Sequence, residues 1–548
     1  MTAPLIILQA RTGSHRLPGK ALLDFHGLPL AVLAARRAGN RGARVVVATS
    51  LDPGDDALAD TLHRHGIAVR RGPLEDVLDR FTVALGDTPD AAPVVRLTGD
   101  NILPDGALIA DVLAAFEAEG LDYVTTTDPA SGLPYGCAVE ITRAGHLRRA
   151  AAEARTTHER EHVTPAIRAR FGVRVFTGHA AQGAGHLRST IDCLDDYDAL
   201  CRATPAGTDL AAWPWRDWVD RLKAAPDAPR GARPVRDLVL GTAQLGLAYG
   251  IARRASPDAA EGTGMLRRAI IEGVECLDTA RAYGGSEALI GALHARGWQG
   301  RARVVTKLAP LDELRGDATP AEAAARAEAS LLRSCLALRS DRLDCVLLHR
   351  AAHLDAWNGA VFAVLERWQA EGWIATLGVS VQSPGELRAA LARDAVGHVQ
   401  LPCNILDHRW DGMTDAIRAA RRDRGLVVHV RSALLQGLLG CDAPGLWRRA
   451  HVADAGAVTG WLAQQAARLG RESAVALGLA WARGLDWADG VVVGCDGLDQ
   501  LHDTVRLFNQ PALTQGEIAA LAAERPHLAP HSLDPAQWAA AGRTGDVE

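Results

Sequence analysis

Short apolar runs alternate with amphipathic stretches along the whole chain. In its first part the strand-like runs are Leu5–Leu8, Arg44–Ala48, Ala68–Arg70, Val94–Leu97, Tyr123–Thr126, Cys137–Ile141 and Val173–Phe176. Between most of them apolar residues recur at helical spacing, as in Leu28–Ala38, Asp55–His65 and Leu74–Ala84. This alternation predicts a doubly wound α/β domain. Later in the chain β-like segments return at Asp237–Gly241, Val274–Asp278, Arg303–Lys307, Asp344–His349, Ala375–Ser380, His398–Leu401, Leu426–Arg431 and Gly490–Gly494, each separated by helical sequence. Strands alternating with helices in this number over about three hundred residues predict a (β/α)8 TIM barrel. Residues 224–234 are rich in Pro, Ala and Gly and show no apolar face, so they read as a linker between domains at 1–223 and 235–548. Just before the linker, Trp213, Trp215 and Trp218 predict a helix packing a tryptophan face against one of the domains.

Composition narrows the function classes. A chain of 548 residues should form at least two domains with cores of their own. Its formal charge is −5 with both signs interspersed, which excludes the basic field of a general nucleic-acid binder. No apolar run reaches membrane-spanning length, and the N-terminus reads as a core strand rather than a signal peptide. The nine cysteines are scattered without a CxxC pair or zinc spacing, so a reducing cytoplasm is the expected location. Small-molecule chemistry is what remains.

The loop Ala10–Lys20, ARTGSHRLPGK, follows the strand Leu5–Leu8 directly. Its glycines let the backbone approach a ligand, and its Arg and Lys side chains concentrate positive donors, as a triphosphate requires. The plain alternative is a solvated basic loop. Asp100 follows the strand Val94–Leu97, and Asp192 in RSTIDCLDDY reads as the close of another short strand. The loop, Thr49 and Asp100 all fall at carboxyl ends of strands, where open α/β sheets bind ligands. Two aspartates converging on one metal suit a Mg²⁺-assisted attack on an α-phosphate.

The segments ARTGSHRLPGKALL, RLTGDNILPD, YGCAVEI, HEREHVTPAI and STIDCLDDYDAL, in that order, resemble the cytidylyltransferases of the spore-coat polysaccharide type, relatives of the synthetases of CMP-activated keto-sugar acids. The resemblance runs from Met1 to about Ala203 and implies a Rossmann-like nucleotidyltransferase fold. The implied reaction is attack of a sugar-phosphate or sugar-acid oxygen on the α-phosphate of CTP, with release of pyrophosphate. By the same resemblance Arg11, Gly13, Arg16 and Lys20 cradle the triphosphate with Thr49 beside them, Arg11 and Lys20 acting catalytically. Asp100 and Asp192 would hold Mg²⁺, and Tyr135, Glu140, Glu161 and His162 would face the acceptor. For His158 and His162 the alternative is a surface helix position beside a salt-bridging glutamate. His15, where the family has a small hydroxyl residue, and Cys137–Ala138 before the VE pair depart from the pattern and leave the acceptor open. The resemblance also implies a homodimer, although no interface stripe is visible.

In the barrel, polar residues stand at the strand ends: Asp278, Lys307, His349, Ser380, Gln400 with Asn404, and Arg431 with Ser432, while Tyr283 lies in the loop after Asp278. A tyrosine hydroxyl, ordinarily near pKa 10, becomes a competent acid beside a lysine ammonium. The aspartate orients that lysine, and the histidine steers a carbonyl and stabilises the developing alkoxide. Taken singly, a buried Asp–Lys pair or a core histidine is ordinary. GTAQLGLAYG, CLDTARAYGGSEALIG, VVTKL, DCVLLHR, LGVSV, VQLPCNILD, VRSALLQGLL and VVVGCDGLDQL resemble the aldo-keto reductases from Leu238 to about Leu507. That resemblance makes Tyr283 the general acid, with Lys307 and Asp278 tuning it and His349 orienting the substrate. It assigns Ser380, Gln400, Asn404, Arg431, Ser432, Gly494 and Gln500 to the nicotinamide dinucleotide site. The cofactor is NADPH or NADH: Asp496 stands where many relatives carry a cation for the 2′-phosphate, while the family at large leans to NADP. Arg431 replaces an aromatic that stacks on nicotinamide in other branches.

Fusion raises local concentration, which benefits partners in one pathway. The leading expectation is a bifunctional enzyme of surface-glycan (polysaccharide) precursor synthesis. It would make a CMP- or CDP-linked sugar, sugar acid or polyol and reduce a carbonyl in precursor or product. The alternatives are a barrel kept as a regulatory or scaffold module, and an N-terminal domain that binds nucleotide without transferring it.

Overall fold

The computed structural model describes residues 4–14, 16–205, 207–225, 235–247 and 256–538. His15 and most of the expected linker, residues 226–234, lie outside the described residues. The chain divides into two compact units, Met1–Gly231 and Ala232–Glu548.

Unit one contains β1 (Leu5–Gln9), β2 (Asp24–Phe25), β3 (Leu28–Pro29), β4 (Arg44–Ser50), β5 (Ala68–Gly72), β6 (Pro93–Thr98), β7 (Tyr123–Thr125), β8 (Glu140–Arg143) and β9 (Arg174–Val175). Seven of them form one sheet in the order β5-β4-β1-β6-β8-β7-β9, and β2 and β3 make a small hairpin. β1 is central and parallel to both β4 and β6, whereas β8 runs antiparallel to β6 and β7. Leu5, Ile6, Ile7 and Leu8 are all buried, so both faces of β1 are covered, which is why the strand reads as an unbroken apolar run. The helices are α1 (Leu30–Ala38), α2 (Asp56–Arg64), α3 (Val77–Leu85), α4 (Gly106–Ala118), α5 (Ala144–Glu153), α6 (Thr157–His162), α7 (Pro165–Phe171), α8 (Leu194–Ala203) and α9 (Trp215–Ala224). Val77, Leu78 and Phe81 of α3 pack on Leu5, Ile7, Val46 and Ala48 of the sheet.

Two readings of the sequence shift here. The strand expected at Cys137–Ile141 begins only at Glu140, because residues 134–137 form a turn, with Gly136 at φ 109° and Cys137 N–H donating to the Pro134 carbonyl. Asp192 closes no strand: Thr190 makes a single isolated bridge to Asn101, and Asp192 lies in the loop before α8. The β2–β3 hairpin is too short to show a period. The tryptophan helix packs within unit one. Trp215 and Trp218 of α9 are buried, and Trp218 lies 4.9 Å beneath the guanidinium of Arg37. Arg37, fully buried, donates to the carbonyls of Leu103 (2.8 Å) and Trp213 (2.7 Å).

Unit two is a closed barrel of parallel strands: β10 (Leu238–Gly241), β11 (Cys276–Asp278), β12 (Arg303–Lys307), β13 (Leu343–Leu348), β14 (Ile374–Ser380), β15 (Val396–Pro402), β16 (Val427–Arg431) and β17 (Gly490–Gly494). β17 pairs with β10 and closes the ring. Val239, Cys276, Val305, Cys345 and Leu347 pack together inside it. The two-residue period of a strand then brings Asp278, two residues after Cys276, and Lys307, two after Val305, to the carboxyl rim on the same inner face. Gln400 stands likewise two residues after His398, whose ring lies 4.3 Å from that of His429. All nine cysteines are free thiols. No helix among the described residues is long and apolar enough to cross a membrane.

Candidate active sites

The loop after β1 is held in shape by its own backbone. Ser14 and Gly19 N–H groups both donate to the Thr12 carbonyl at 2.8 Å, and Gly19 adopts φ 69°, a conformation that favours glycine. Thr12 is in turn tied to Asp55, whose Oδ1 accepts from both the Thr12 N–H and hydroxyl at 2.7 Å. Ser50, at the end of β4, donates to the other carboxylate oxygen. Burial alone would raise the Asp55 pKa, but the hydrogen bonds from Ser50 and Thr12 outweigh it and hold the carboxyl below its usual range. Asp55 is thus the anchor of the loop, a part the sequence reading missed.

Lys20 is the hub of this site. Its Nζ donates to Asp100 Oδ2 (2.7 Å), Asp192 Oδ1 (3.0 Å) and the Ile191 carbonyl (2.9 Å). Arg16 also reaches Asp192 Oδ1 at 2.8 Å, while Arg188 bridges Asp192 Oδ2 (2.5 Å) and Asp196 Oδ1 (2.7 Å). Asp100 and Asp192, far apart in sequence, therefore meet at one ammonium. Two carboxylates converging on a single cation fit a divalent metal as well. No group of three or more metal-ligating side chains occurs among the described residues, so Mg²⁺ there would draw further ligands from substrate and water.

A cavity of about 470 Å³ opens beside this cluster and is lined by Arg11, Arg16, Lys20, Asp100, Glu161 and His162 together with Gln9, Arg80 and Arg96. Glu161 and His162 thus share a wall with the basic loop. His158 does not line it, although its ring lies 4.5 Å from that of His162. Other candidates fall elsewhere. Gly13 belongs to the loop but has open space around it. Thr49 is enclosed at the end of β4, outside the cavity lining. Glu140 is buried and spent on internal partners, accepting from Tyr123 Oη (2.5 Å), Thr164 Oγ1 (3.2 Å) and Arg96. Burial pushes its pKa up, but the Arg96 charge and these hydrogen bonds bring it below the ordinary value. Glu140 therefore touches the cavity only through Arg96. Tyr135 is exposed outside the lining, with the Arg188 guanidinium 5.2 Å over its ring.

At the barrel rim, Lys307 Nζ donates to both Asp278 oxygens (2.7 and 2.8 Å) and to the Thr279 carbonyl (3.0 Å). Burial works against the Lys307 charge, but Asp278 and Tyr283 outweigh it and keep the ammonium pKa above its ordinary value. The ammonium lies 4.9 Å from the centre of the Tyr283 ring, and that ring meets the His349 ring edge-on at 6.0 Å. Burial first, then the positive charges of Lys307 and Arg431, drive the His349 pKa down to about 3, so its imidazole is neutral. All four predicted residues share one rim. The loop carrying Tyr283 is pressed against the loop after β10: a Cβ on Gly246 would lie 1.8 Å from the Tyr283 carbonyl oxygen.

Ser380, Gln400 and Asn404 are buried beside this group. Gln400 Nε2 donates to Asp278 Oδ1 at 2.7 Å, while Gln400 Oε1 and Asn404 Nδ2 are buried without hydrogen-bond partners. An unpaired acceptor and an unpaired donor fit the carboxamide of a nicotinamide. Ser432 follows Arg431 at φ 57°. Gly494 leaves room for Gln244, whose side chain would lie 2.1 Å from a Cβ at that position. Gln500 is exposed and accepts from the Asp496 N–H at 2.8 Å, capping its own loop.

The family model for the aldo/keto reductase family matches residues 237–524, more than half of the chain, and the cytidylyltransferase model matches residues 5–192. Spore coat polysaccharide biosynthesis protein SpsF of Bacillus subtilis is 32% identical over 206 residues, spanning 36% of this chain and 84% of that protein. The chain belongs to both families. The cytidylyltransferase unit is also similar to the uncharacterized protein MJ1063 of Methanocaldococcus jannaschii, 35% identical over 167 residues, or 29% of this chain and 65% of that protein. It is 39% identical over 126 residues to the 3-deoxy-manno-octulosonate cytidylyltransferase of Methylibium petroleiphilum, spanning 22% of this chain and 46% of that enzyme. Both families are enzymes acting on small molecules, so the chain couples a nucleotidyltransferase to an oxidoreductase.

Proposed function

We propose that the first unit transfers a cytidylyl group from CTP to a sugar phosphate or sugar acid, and that the second reduces a carbonyl of the same glycan precursor or product with NADPH or NADH. Two relatives, one a spore coat polysaccharide biosynthesis protein and one a 3-deoxy-manno-octulosonate cytidylyltransferase, support an acceptor of this class. The observation that carries the reading is the meeting of Asp100 and Asp192 at Lys20, with Lys20 and Asp100 lining a basic cavity and Asp192 joined to it through Lys20 and Arg16.

In the cytidylyltransferase unit, Arg11, Arg16 and Lys20 bind the triphosphate from the loop that Asp55 anchors. Mg²⁺, held by Asp100 and Asp192, would neutralise charge between the attacking and leaving oxygens. Glu161 and His162 orient the attacking acceptor oxygen, and pyrophosphate leaves on the basic side.

In the reductase unit Ser380, Gln400 and Asn404 would hold a nicotinamide, which would supply hydride to a substrate carbonyl carbon. Neutral His349 donates a hydrogen bond to the carbonyl oxygen. Tyr283 passes its hydroxyl proton to that oxygen, and the Lys307 ammonium stabilises the phenolate left behind. Asp278 keeps Lys307 charged and in place. In the same reading the enzyme works as a cytoplasmic homodimer, which size-exclusion chromatography tests.

The deciding experiment is mass spectrometry of products formed from CTP, Mg²⁺ and NADPH or NADH with a panel of sugar phosphates and keto-sugar acids. A mass gain of one cytidylyl group, and of two hydrogens for a carbonyl partner, is expected. Failure of every acceptor to release pyrophosphate would sink the transferase half.

A further inference from the structure

The barrel mouth holds a cation that the Asp278, Tyr283, Lys307 and His349 group leaves unused. Arg431 closes β16 two residues after His429. The His429 ring meets that of His398 at 4.3 Å, and His398 Nδ1 lies 3.4 Å from the sulfur of Cys345, one of the residues packed inside the barrel. The two-residue period of a strand therefore brings Arg431 to the rim on the inner face, as it does Gln400 on the neighbouring β15. Its main chain is fixed there, with Arg431 paired to Pro402 and its carbonyl accepting from the Cys403 N–H at 2.9 Å. The side chain is half-buried, and among the described residues its guanidinium makes no hydrogen bond or ion pair. Neighbouring cations are committed: Lys307 holds Asp278 at 2.7 Å, and Arg350 holds Asp312 at 2.6 Å. After burial, the groups acting most strongly on His349 are Lys307, then Arg431, then Arg350. Arg431 thus acts on this imidazole more strongly than Arg350 does, although Arg350 is the next residue in the chain.

We propose that Arg431 selects carbonyl substrates that carry an oxyanion, a carboxylate or a phosphate, and binds that group while His349 and Tyr283 act on the carbonyl. The inference rests on the carbonyl-reduction reading of this rim and names its substrate class. A planar guanidinium offers paired donors that match the oxygens of either group. No other group at the rim is placed to do so: the Lys307 ammonium is spent on Asp278 and the Thr279 carbonyl, and the imidazole of His349 is neutral. Gln400 and Asn404 carry the unmet polar atoms that suit a carboxamide, whereas the Arg431 charge falls on His349, where the carbonyl is steered. That position favours an anion on the substrate over the phosphates of the cofactor. Sugar phosphates and sugar acids, the acceptors proposed for the first unit, carry such a group already, so one anionic sugar satisfies both units.

Steady-state kinetics of the full chain with NADPH or NADH and two matched pairs of aldehydes test this. The pairs are 4-carboxybenzaldehyde with its methyl ester, and glyceraldehyde 3-phosphate with glyceraldehyde. Wild-type protein should show the higher kcat/KM for the charged member of at least one pair, and the pair that responds tells carboxylate from phosphate. Arg431→Gln should lower kcat/KM for that charged aldehyde at least about tenfold further than for its neutral partner, chiefly through KM. Arg431→Lys, which keeps the charge without the planar fork, should recover part of the preference. In the wild type, added salt should raise KM for the charged aldehyde and leave that of its neutral partner in place, a readout that decides the matter if the variants do not fold. Equal losses for charged and neutral aldehydes in Arg431→Gln would assign the guanidinium to the cofactor and overturn the proposal. A wild type that reduces both members of each pair without regard to charge would overturn it alone. A wild type that reduces none of the four would remove the carbonyl-reduction reading and the proposal together.

Discussion

Replacing Asp278 with asparagine removes a single charge from the barrel rim while keeping the volume. Lys307 is 1% exposed, and Asp278 supplies its counter-charge through contacts of 2.7 and 2.8 Å. An ammonium left buried without that charge costs about 3–5 kcal/mol. The lysine can relieve part of this by losing its proton, because burial already opposes its charge. In the wild type the raised Lys307 pKa contributes stability that is fully present below the ordinary 10.5 and is lost as pH rises through the folded value. In Asp278→Asn that contribution disappears. Neutral Lys307 no longer stabilises the Tyr283 phenolate, so carbonyl reduction should fall by about 10²–10⁴-fold, the usual worth of a positioned acid. The measurements are calorimetric unfolding of the full-length protein and the rate of NADPH or NADH oxidation with 4-nitrobenzaldehyde between pH 5 and pH 9. The reductase transition should move down by several degrees, and the remaining activity should shift towards acid pH. A variant that melts and reduces the aldehyde as the wild type does would refute the assignment of Asp278 as the lysine's essential counter-charge.

Other outcomes follow from the same geometry. Tyr283→Phe should abolish aldehyde reduction yet still bind NADPH or NADH by fluorescence; full reductase activity in that variant would remove Tyr283 from the role of acid. His349, with a folded pKa of about 3, and His429, at about 4, stay neutral in the barrel but take up protons when unfolded below the ordinary 6.5. Stability should therefore decline as pH falls from about 6.5 towards 3, seen as a falling melting temperature, while aldehyde reduction shows no imidazole titration between pH 5 and 8. Asp100→Ala should eliminate pyrophosphate release from CTP and leave aldehyde reduction intact, read in parallel assays on one preparation. Asp55→Ala releases both Thr12 donors and the Ser50 hydroxyl, and should weaken tripolyphosphate binding about tenfold through loss of loop order, measured calorimetrically.

The fold was legible where one pattern dominates. β1 and the barrel strands are buried on both faces or alternate cleanly, so their apolar runs stand out, and Asp278, Lys307 and His349 follow from strand ends, with Tyr283 in the loop after the second. Legibility fails where tertiary contact decides. Residues 134–137 carry apolar side chains into a turn that Gly136 makes, which moved the expected strand start to Glu140. Glu140 itself looked like an acceptor contact, yet Tyr123, Thr164 and Arg96 consume it. Asp55 and Arg80 were missed for a shared reason. A carboxylate beside a helix start reads as a cap and an arginine on an amphipathic helix reads as a solvent face, and only the folded chain shows that one holds a loop from 43 residues away and the other is buried. The basic loop predicts that Lys20 faces phosphate, and nothing in its spacing shows that it also joins Asp100 and Asp192, which lie 80 and 172 positions away.

The contact of Gly246 with the Tyr283 backbone reaches beyond packing. With 1.8 Å between a would-be Cβ and the carbonyl oxygen, and Gly284 held at φ 55° with its own would-be Cβ 2.3 Å from the Gly246 carbonyl, neither loop can take on a single methyl group without displacing the other. The first and second loops of the barrel are geared together. The phenol therefore inherits its placement from a residue that carries no reactive group and lies 37 positions earlier in the chain (283 − 246). Tolerance to mutation around this reductase centre should follow that mechanical linkage, with side-chain-free positions as unforgiving as those that bear the chemistry.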